Sequence, residues 1–426
     1  MTVPISKTSV SNGLGATLAA LALQVGVVGC VSSDAVVDAP KQVSAPPASV
    51  VAPAPIPPPS LPPLVSFDEA VAQTTRAVFT SAPAPGSDII AIVIDPLIDG
   101  ASGYQSRATA SIQDRVMAIV NKDFPRYSIQ RITPESLRQQ PRVLVGTFTP
   151  VNAQMKMTGQ REAYWFCLVM LDLRSGKIIA RSVVRVRIAE ADATPTATFS
   201  DSPAWLQDPS IQAYVANCQG SKVGDPINAA YFDGLATAAL ISEAEDAYDQ
   251  GHYGDALALY TTARKSPAGD QLRVYNGIYL ALFKLGRTER AAAAFRDLVD
   301  YGLRNQRLAV KFLFRPGSVR FAADGAFSAS YDSWLQQIAA EALTSQACLQ
   351  ITGHTSPVGP AAMNDSLSLL RAEYIQSRLE EDKPALKHRT VANGMGSREN
   401  IIGTGRDDAS DALDRRVELK PINPCT

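Results

Sequence analysis

From Ser66 onward, apolar and polar positions fall into stretches whose spacing predicts a succession of helices and strands. Ser66 and Glu69 have the separation of a capping box and open an amphipathic helix running to about Phe79. After the breaker APAPGSD comes IIAIVI, from Ile89 to Ile94, a continuous apolar run of the kind a strand buried on both faces shows. Ala108, Ile112, Val116, Ile119 and Val120 then share one helical face. YSIQRI reads as a short strand, and Thr133-Pro134-Glu135 as a helix start with proline in its first turn. RVLVGTFTPV and YWFCLVMLDL read as strands, and LRSGK as a turn into IIARSVVRVRI, where Val184, Val186 and Ile188 alternate with Arg185 and Arg187. That alternation implies a sheet with one wet face, and the order of elements predicts an α/β sandwich over 66–190.

Residues 191–230 hold few periodic positions and read as a loop-rich connector. Over 231–305 the pattern turns helical and repeats: Gly251, Ala256 and Tyr260 are echoed by Gly286, Ala291 and Phe295, each 35 positions later. QGHYGDALALY and LGRTERAAAAF resemble tetratricopeptide repeats, in which small residues let paired helices approach and an aromatic fills the gap. Two such units need support, either from the preceding long helix or from the segment that follows. Over 306–426, LAVKFLF predicts a strand, and Ser328 to Leu343 a helix with Trp334, Leu335, Ile338 and Ala339 on one side. CLQITGHT then predicts a strand, Asn364 to Leu379 a helix, and RRVELK a closing strand. The expected fold class is therefore multidomain α/β plus α.

The first 29 residues carry Lys7, then an apolar stretch from about Leu14 to Val28, which is the pattern of a secretory signal. The ending VVGC resembles the lipobox of bacterial lipoproteins, which implies lipidation of Cys30; the alternative is an ordinary signal with an incidental cysteine. Val31 and Ser32, with no aspartate directly after the cysteine, resemble outer-membrane retention. Residues 30–65 include APAPIPPPSLPP, a composition that favours extended polyproline conformation over a packed core. With Cys30 set aside, Cys167, Cys218, Cys348 and Cys425 remain. Three pairings are open; Cys167 with Cys218 and Cys348 with Cys425 keep each bridge local, and four free buried thiols are the alternative.

Composition narrows the function classes. Across 426 residues, 40 Lys and Arg stand against 41 Asp and Glu, so there is no concentrated positive field of the sort nucleic acid requires. The three histidines, His252, His354 and His388, are scattered, and no nucleophile elbow, metal-ligand spacing or phosphate-cradling glycine loop appears. An enzyme is not expected, nor any cofactor. Asp407, Asp408, Asp411 and Asp414 do not match a calcium loop, so no metal is expected. His354 reads as a hydrogen-bonding loop residue rather than a catalyst.

GHTSPVGPAAMNDSLSLLRAEYIQSRL, from Gly353 to Leu379, followed by NGMG and DRRVELK, resembles the OmpA-like, peptidoglycan-binding domain over roughly 305–421. That resemblance implies a ligand site for the diaminopimelate of a wall stem peptide. It places Arg371 on a carboxylate, Asn364 at the helix start, and Arg415 and Arg416 beside them. Ser356 stands where the family usually has an aspartate, and Asp414 where it has an asparagine. A serine hydroxyl offers no charge to a ligand ammonium, which costs on the order of 1–2 kcal/mol. Over 66–190, LVMLDLRSGKIIA weakly resembles periplasmic lipoprotein domains of the curli-secretion channel and of peptidoglycan-synthase activators. The expected function is a lipid-anchored, outer-membrane protein facing the periplasm that tethers an envelope assembly to peptidoglycan. Its partners would be peptidoglycan, the membrane and envelope proteins. The alternative is a scaffold of a secretion, polysaccharide-export or appendage complex that uses the same fold for protein contacts only.

Overall fold

The computed structural model describes residues 61–426 except 85, 87, 316, 322–326, 407, 408, 424 and 426. The signal segment, Cys30 and most of the proline-rich segment lie outside the described residues. The described chain begins in a two-residue strand, β1 (Leu64–Val65), and turns at once into helix α1 (Phe67–Ser81). Ser66 caps that helix, its hydroxyl accepting the Glu69 N–H. There follow β2 (Ile90–Ile94), α2 (Arg107–Asp123), β3 (Tyr127–Arg131), the short α3 (Pro134–Leu137), β4 (Arg142–Val151), β5 (Ala163–Asp172) and β6 (Lys177–Arg187). They form a sheet in the order β1-β6-β5-β4-β2-β3. β2 runs parallel to β3 and β4, while β4, β5 and β6 are antiparallel.

Successive residues of β2 enter different cores, because strand side chains alternate between faces. Ile92 and Ile94 pack with Phe67 and Val71 of α1 and with Ile112 and Val116 of α2. Val93 points the other way, into a core shared with Val145, Val169, Ile211 and Leu235. The cover for this second face comes from beyond residue 190. The 191–230 segment forms α4 (Ala197–Asp201), β7 (Ala204–Trp205) and α5 (Pro209–Ala216), and α6 (Ala229–Asp249) follows. Pro209 stands in the first turn of α5 and the Asp208 carboxylate accepts the Ile211 N–H, a strong start for a short helix. A disulfide from Cys218 to Cys167, with Cα atoms 6.0 Å apart, ties the end of this segment to β5.

Helices α7 (Tyr253–Lys265), α8 (Leu272–Lys284) and α9 (Thr288–Arg304) continue from α6, each packing on its predecessor. Tyr260 lies against Gly277 of α8, where a Cβ would stand 2.3 Å from the ring, so only glycine permits the approach. Phe295 of α9 stacks on Trp334, ring centroids 5.2 Å apart. The helices lean on both sides: α6 on α5 and the first sheet, α9 on the C-terminal segment.

That segment holds β8 (Leu308–Val310), α10 (Tyr331–Thr344), β9 (Cys348–Gly353), α11 (Ala361–Asp382), β10 (Thr390–Gly394) and β11 (Val417–Ile422). The sheet order is β10-β9-β11-β8-β7, so the 191–230 segment supplies its edge strand, Ala204 pairing with Val310. β8 is three residues long rather than the seven expected from LAVKFLF. After Val310 the chain leaves the ladder, and Phe312 and Phe314 turn into an aromatic cluster with Phe321. Helix α11 starts at Ala361, a turn earlier than expected, directly after Pro360. Leu349, Ile351, Val417 and Leu419 share one core with the helices. A second disulfide joins Cys348 to Cys425, Cα atoms 5.4 Å apart. From Ser60 on, all of this forms one compact unit. No described helix is long and apolar enough to cross a membrane.

Candidate functional site

The site is built where two parallel strands end against the first half of α11. β9 ends in Gly353, where an added Cβ would lie 2.0 Å from the Ser368 carbonyl oxygen. Gly394, ending β10, is also tightly placed, an added Cβ there lying 2.6 Å from the Leu369 nitrogen. Ser368 completes the junction: its hydroxyl donates to the Asp365 carbonyl at 2.8 Å and accepts the Gly396 N–H at 2.9 Å. The helix backbone is thereby pressed onto the two strand ends.

Residues 354–358 leave this junction as a loop held by several backbone hydrogen bonds. The His354 N–H donates to the Arg416 carbonyl, the Thr355 N–H to the Gly396 carbonyl, and the Asn400 amide to the Thr355 carbonyl. Asn364 donates its amide to the Val358 carbonyl at 3.1 Å and the Ser356 carbonyl at 3.4 Å. Asn364 therefore positions the loop that carries Ser356.

Loop and helix enclose a cavity of about 750 Å³ lined by Ser356, Asn364, Arg371 and Arg415, together with Met363 and Leu370. Arg371 is buried; its Nε donates to the Ser318 carbonyl at 3.3 Å and its guanidinium lies 4.8 Å from the centre of the Phe314 ring. Anchored in this way, the guanidinium needs little further ordering to meet a planar anion. Among the described residues lining the cavity there is no carboxylate. Met363 is 67% exposed and Leu370 51%, so the rim is apolar where the floor is cationic. The arrangement suits an anion carried on a partly apolar ligand.

Arg416 lies elsewhere. It directly follows Arg415 and immediately precedes β11, and in extended chain adjacent side chains take opposite faces. Its Nε donates to Glu418 Oε1 at 2.7 Å, and Arg307 grips the same carboxylate at 2.6 and 2.8 Å. Burial alone would raise the Glu418 pKa, but Arg416 and Arg307 hold it at about 2. Arg416 is thus committed to an internal ion pair.

Neighbouring polar residues also act within the fold. The Asp414 carboxylate accepts the N–H groups of Ile401, Ile402 and Gly403 at 2.6–3.0 Å. Asp411 accepts from Thr404, and Asp407 and Asp408 lie outside the described residues. The loop so held receives Arg161 from the β4–β5 hairpin, whose guanidinium donates to the Asn400 carbonyl at 2.9 Å. His354 differs from its expected role, since its backbone bonds but neither ring nitrogen has a hydrogen-bond partner among the described residues. Burial, then the nearby Arg416 charge, pushes its pKa down to about 3.

Sequence reasoning missed the apolar rim and the hairpin contact. Leu369-Leu370, beside Arg371 on a largely polar helix, was a visible signal for the rim; nothing marked Arg161.

No family model matches the chain, and no curated protein matches it in sequence. Solved structures do resemble part of it. An outer membrane protein from Borrelia burgdorferi B31 is 24% identical, covering 28% of this chain and 88% of that one, with a TM-score of 0.22. The cell wall anchor of the T6SS from Pseudomonas aeruginosa is 21% identical over 27% of this chain and 80% of that one, TM-score 0.23. The peptidoglycan-associated lipoprotein from Burkholderia pseudomallei is 26% identical over 26% of this chain and 87% of that one, TM-score 0.22.

Proposed function

We propose that this protein is an envelope anchor that holds a peptide carboxylate of peptidoglycan in the cavity beside α11. The observation that carries the reading is the convergence of Arg371 and Arg415 on one cavity with Ser356, on a loop positioned by Asn364. Guanidinium meets carboxylate through paired, charge-assisted hydrogen bonds, and a serine hydroxyl adds a neutral one. In this reading Cys30 carries the lipid, the proline-rich segment spans from the outer membrane, and the helical layer α6–α9 resembles tetratricopeptide repeats that meet an envelope partner.

The test is co-sedimentation of the full chain with isolated peptidoglycan sacculi, for wild type, Arg371→Ala and Ser356→Asp. The full chain is required because β7, at residues 204–205, belongs to the C-terminal sheet. Wild type should pellet, Arg371→Ala should pellet at least about tenfold less, and Ser356→Asp should report whether the ligand carries an ammonium. Wild type remaining in the supernatant would overturn the reading.

A second reading has its own support. Val358, Met363 and Leu370 are 44%, 67% and 51% exposed around the same cavity, an apolar surface suited to a protein partner. A partner complex that survives Arg371→Ala but not Met363→Asp would favour a scaffold without wall contact.

A further inference from the structure

The C-terminal sheet has a second face. Leu349, Ile351, Val417 and Leu419 turn into the helical core, so Gln350, Thr352, Glu418 and Lys420 turn the other way, joined by Asn393 of β10. Met157 and Thr158 of the β4–β5 hairpin, with Gln207 and Gln306, face these side chains across a cleft of about 740 Å³. That volume falls in the range of about 300–1,000 Å³ typical of small-ligand sites. The first sheet's module therefore covers this face without filling the space.

The chemistry available in the cleft follows by elimination. Arg307 and Arg416 are both engaged by Glu418, and Arg398 is paired with Asp365. Two guanidiniums share the one Glu418 carboxylate, so that ion-paired group keeps one positive charge, and the remaining charged groups of the lining, Lys420 and Glu399, are of opposite sign. The cleft consequently lacks the concentrated charge that would recruit a polyanion. What remains is a group of carboxamides, Gln207, Gln306, Gln350 and Asn393, none of whose side chains bonds to another described residue, and the Thr352 hydroxyl. Each carboxamide offers two donors and an acceptor. Met157 and Ile401 add apolar wall beside them.

We infer that this cleft is a second binding site, for a neutral ligand rich in hydroxyl and amide groups, the chemistry of an N-acetylated oligosaccharide. Carboxamides exchange paired hydrogen bonds with ring hydroxyls and acetamido groups, and the apolar wall receives the acetamido methyl. The cleft is separate from the Arg371 cavity, and the two sites share no lining residue.

The experiment is isothermal titration of the full chain with a β-1,4-linked tetramer of N-acetylglucosamine, with maltotetraose as a hydroxyl-only control. The probe carries no peptide and no carboxylate, so its outcome is independent of the Arg371 reading. Saturable binding of the acetamido sugar at millimolar concentration or below is expected, weakened about tenfold in Gln350→Ala/Asn393→Ala. Little change with added salt is also expected, because no net charge is recognised. Both substitutions fall on partly exposed positions, and an unchanged thermal midpoint establishes that the double variant folds. Absence of saturable binding, binding untouched by the double variant, or equal binding of maltotetraose would each overturn the proposal.

Discussion

Arg307 and Glu418, 111 residues apart, form a two-pronged ion pair in which Nε donates to Oε2 at 2.8 Å and Nη2 to Oε1 at 2.6 Å. Arg307 stands just after α9 and Glu418 in β11, so the pair fastens the helical layer to the C-terminal sheet. Buried Arg416 joins the same carboxylate, and one acidic group is thus shared by two guanidiniums.

Replacing Glu418 by glutamine keeps the shape and removes the charge. Arg416, 2% exposed, would be left without its counter-charge, a situation that costs roughly 3–5 kcal/mol. Urea unfolding of Glu418→Gln at neutral pH should show a loss of that order. Because the folded pKa of about 2 lies below the ordinary 4.5, the stabilisation is present above pH 4.5 and fades as pH falls toward 2. The variant should therefore lack this part of the acid transition.

His354 acts over a different window. Its pKa falls from 6.5 to about 3 on folding, so the unfolded chain binds the proton first, and stability declines as pH drops from 6.5 toward 3. By pH 5 the loss is roughly 2 kcal/mol. Asp95 and Asp99, raised by burial to about 6, and Glu245, raised by burial to about 8, shift stability in the opposite direction. The readout is therefore a difference between proteins. His354→Leu, which breaks no ring hydrogen bond, should match wild type at pH 7 and exceed it by about 2 kcal/mol at pH 5. Equal pH dependence in both would show that the ring does not stay neutral.

How far the sequence could be read depended on whether the deciding contact was local. The IIAIVI run announced a strand needing cover on both faces, and Ile92 and Val93 do enter separate cores. That the second cover is α5 and α6 depends on chain path, which no periodicity encodes. β8 is a similar case: LAVKFLF has strand propensity throughout, but Lys311 donates its N–H to the Pro203 carbonyl and its ammonium to the Phe199 and Ser200 carbonyls, and the ladder stops there. At the site, Ser356, Asn364, Arg371 and Arg415 were recognisable from their motifs. Arg416 was expected beside them and lies on the other side instead, as strand alternation after Arg415 requires, and its tie to Glu418, shared with Arg307, required the fold.

The disulfide between Cys167 and Cys218 closes a 51-residue loop and fixes α5 to β5. In the chain-entropy treatment such a loop is worth about 4 kcal/mol. Cys167→Ala/Cys218→Ala should lower urea stability by about that amount. Since the loop contains β7, the variant should also loosen the edge of the C-terminal sheet, readable as faster amide exchange at Ala309 and Val310. Exchange that quickens only in the first sheet would show that the two sheets open independently.

Gly353 is where fold and site meet most closely. Its φ is ordinary for any residue, so alanine meets no backbone strain; what excludes it is the Ser368 carbonyl, 2.0 Å from the would-be Cβ. That oxygen belongs to the helix backbone and cannot rotate aside, so either α11 or the end of β9 must move. Overpacking of this kind costs typically about 1–3 kcal/mol. The same displacement would separate Arg371, three residues beyond Ser368 on α11, from Ser356, three residues beyond Gly353. Gly353→Ala should therefore lose wall sedimentation more completely than its modest drop in thermal midpoint explains. Leu349→Ala, a core truncation in the same strand but remote from the junction, should destabilise by about 2–5 kcal/mol and keep sedimentation wherever it remains folded. If the two variants lose sedimentation in proportion to stability, the glycine serves packing alone; if Gly353→Ala falls well below that line, the strand end sets the geometry of the cavity.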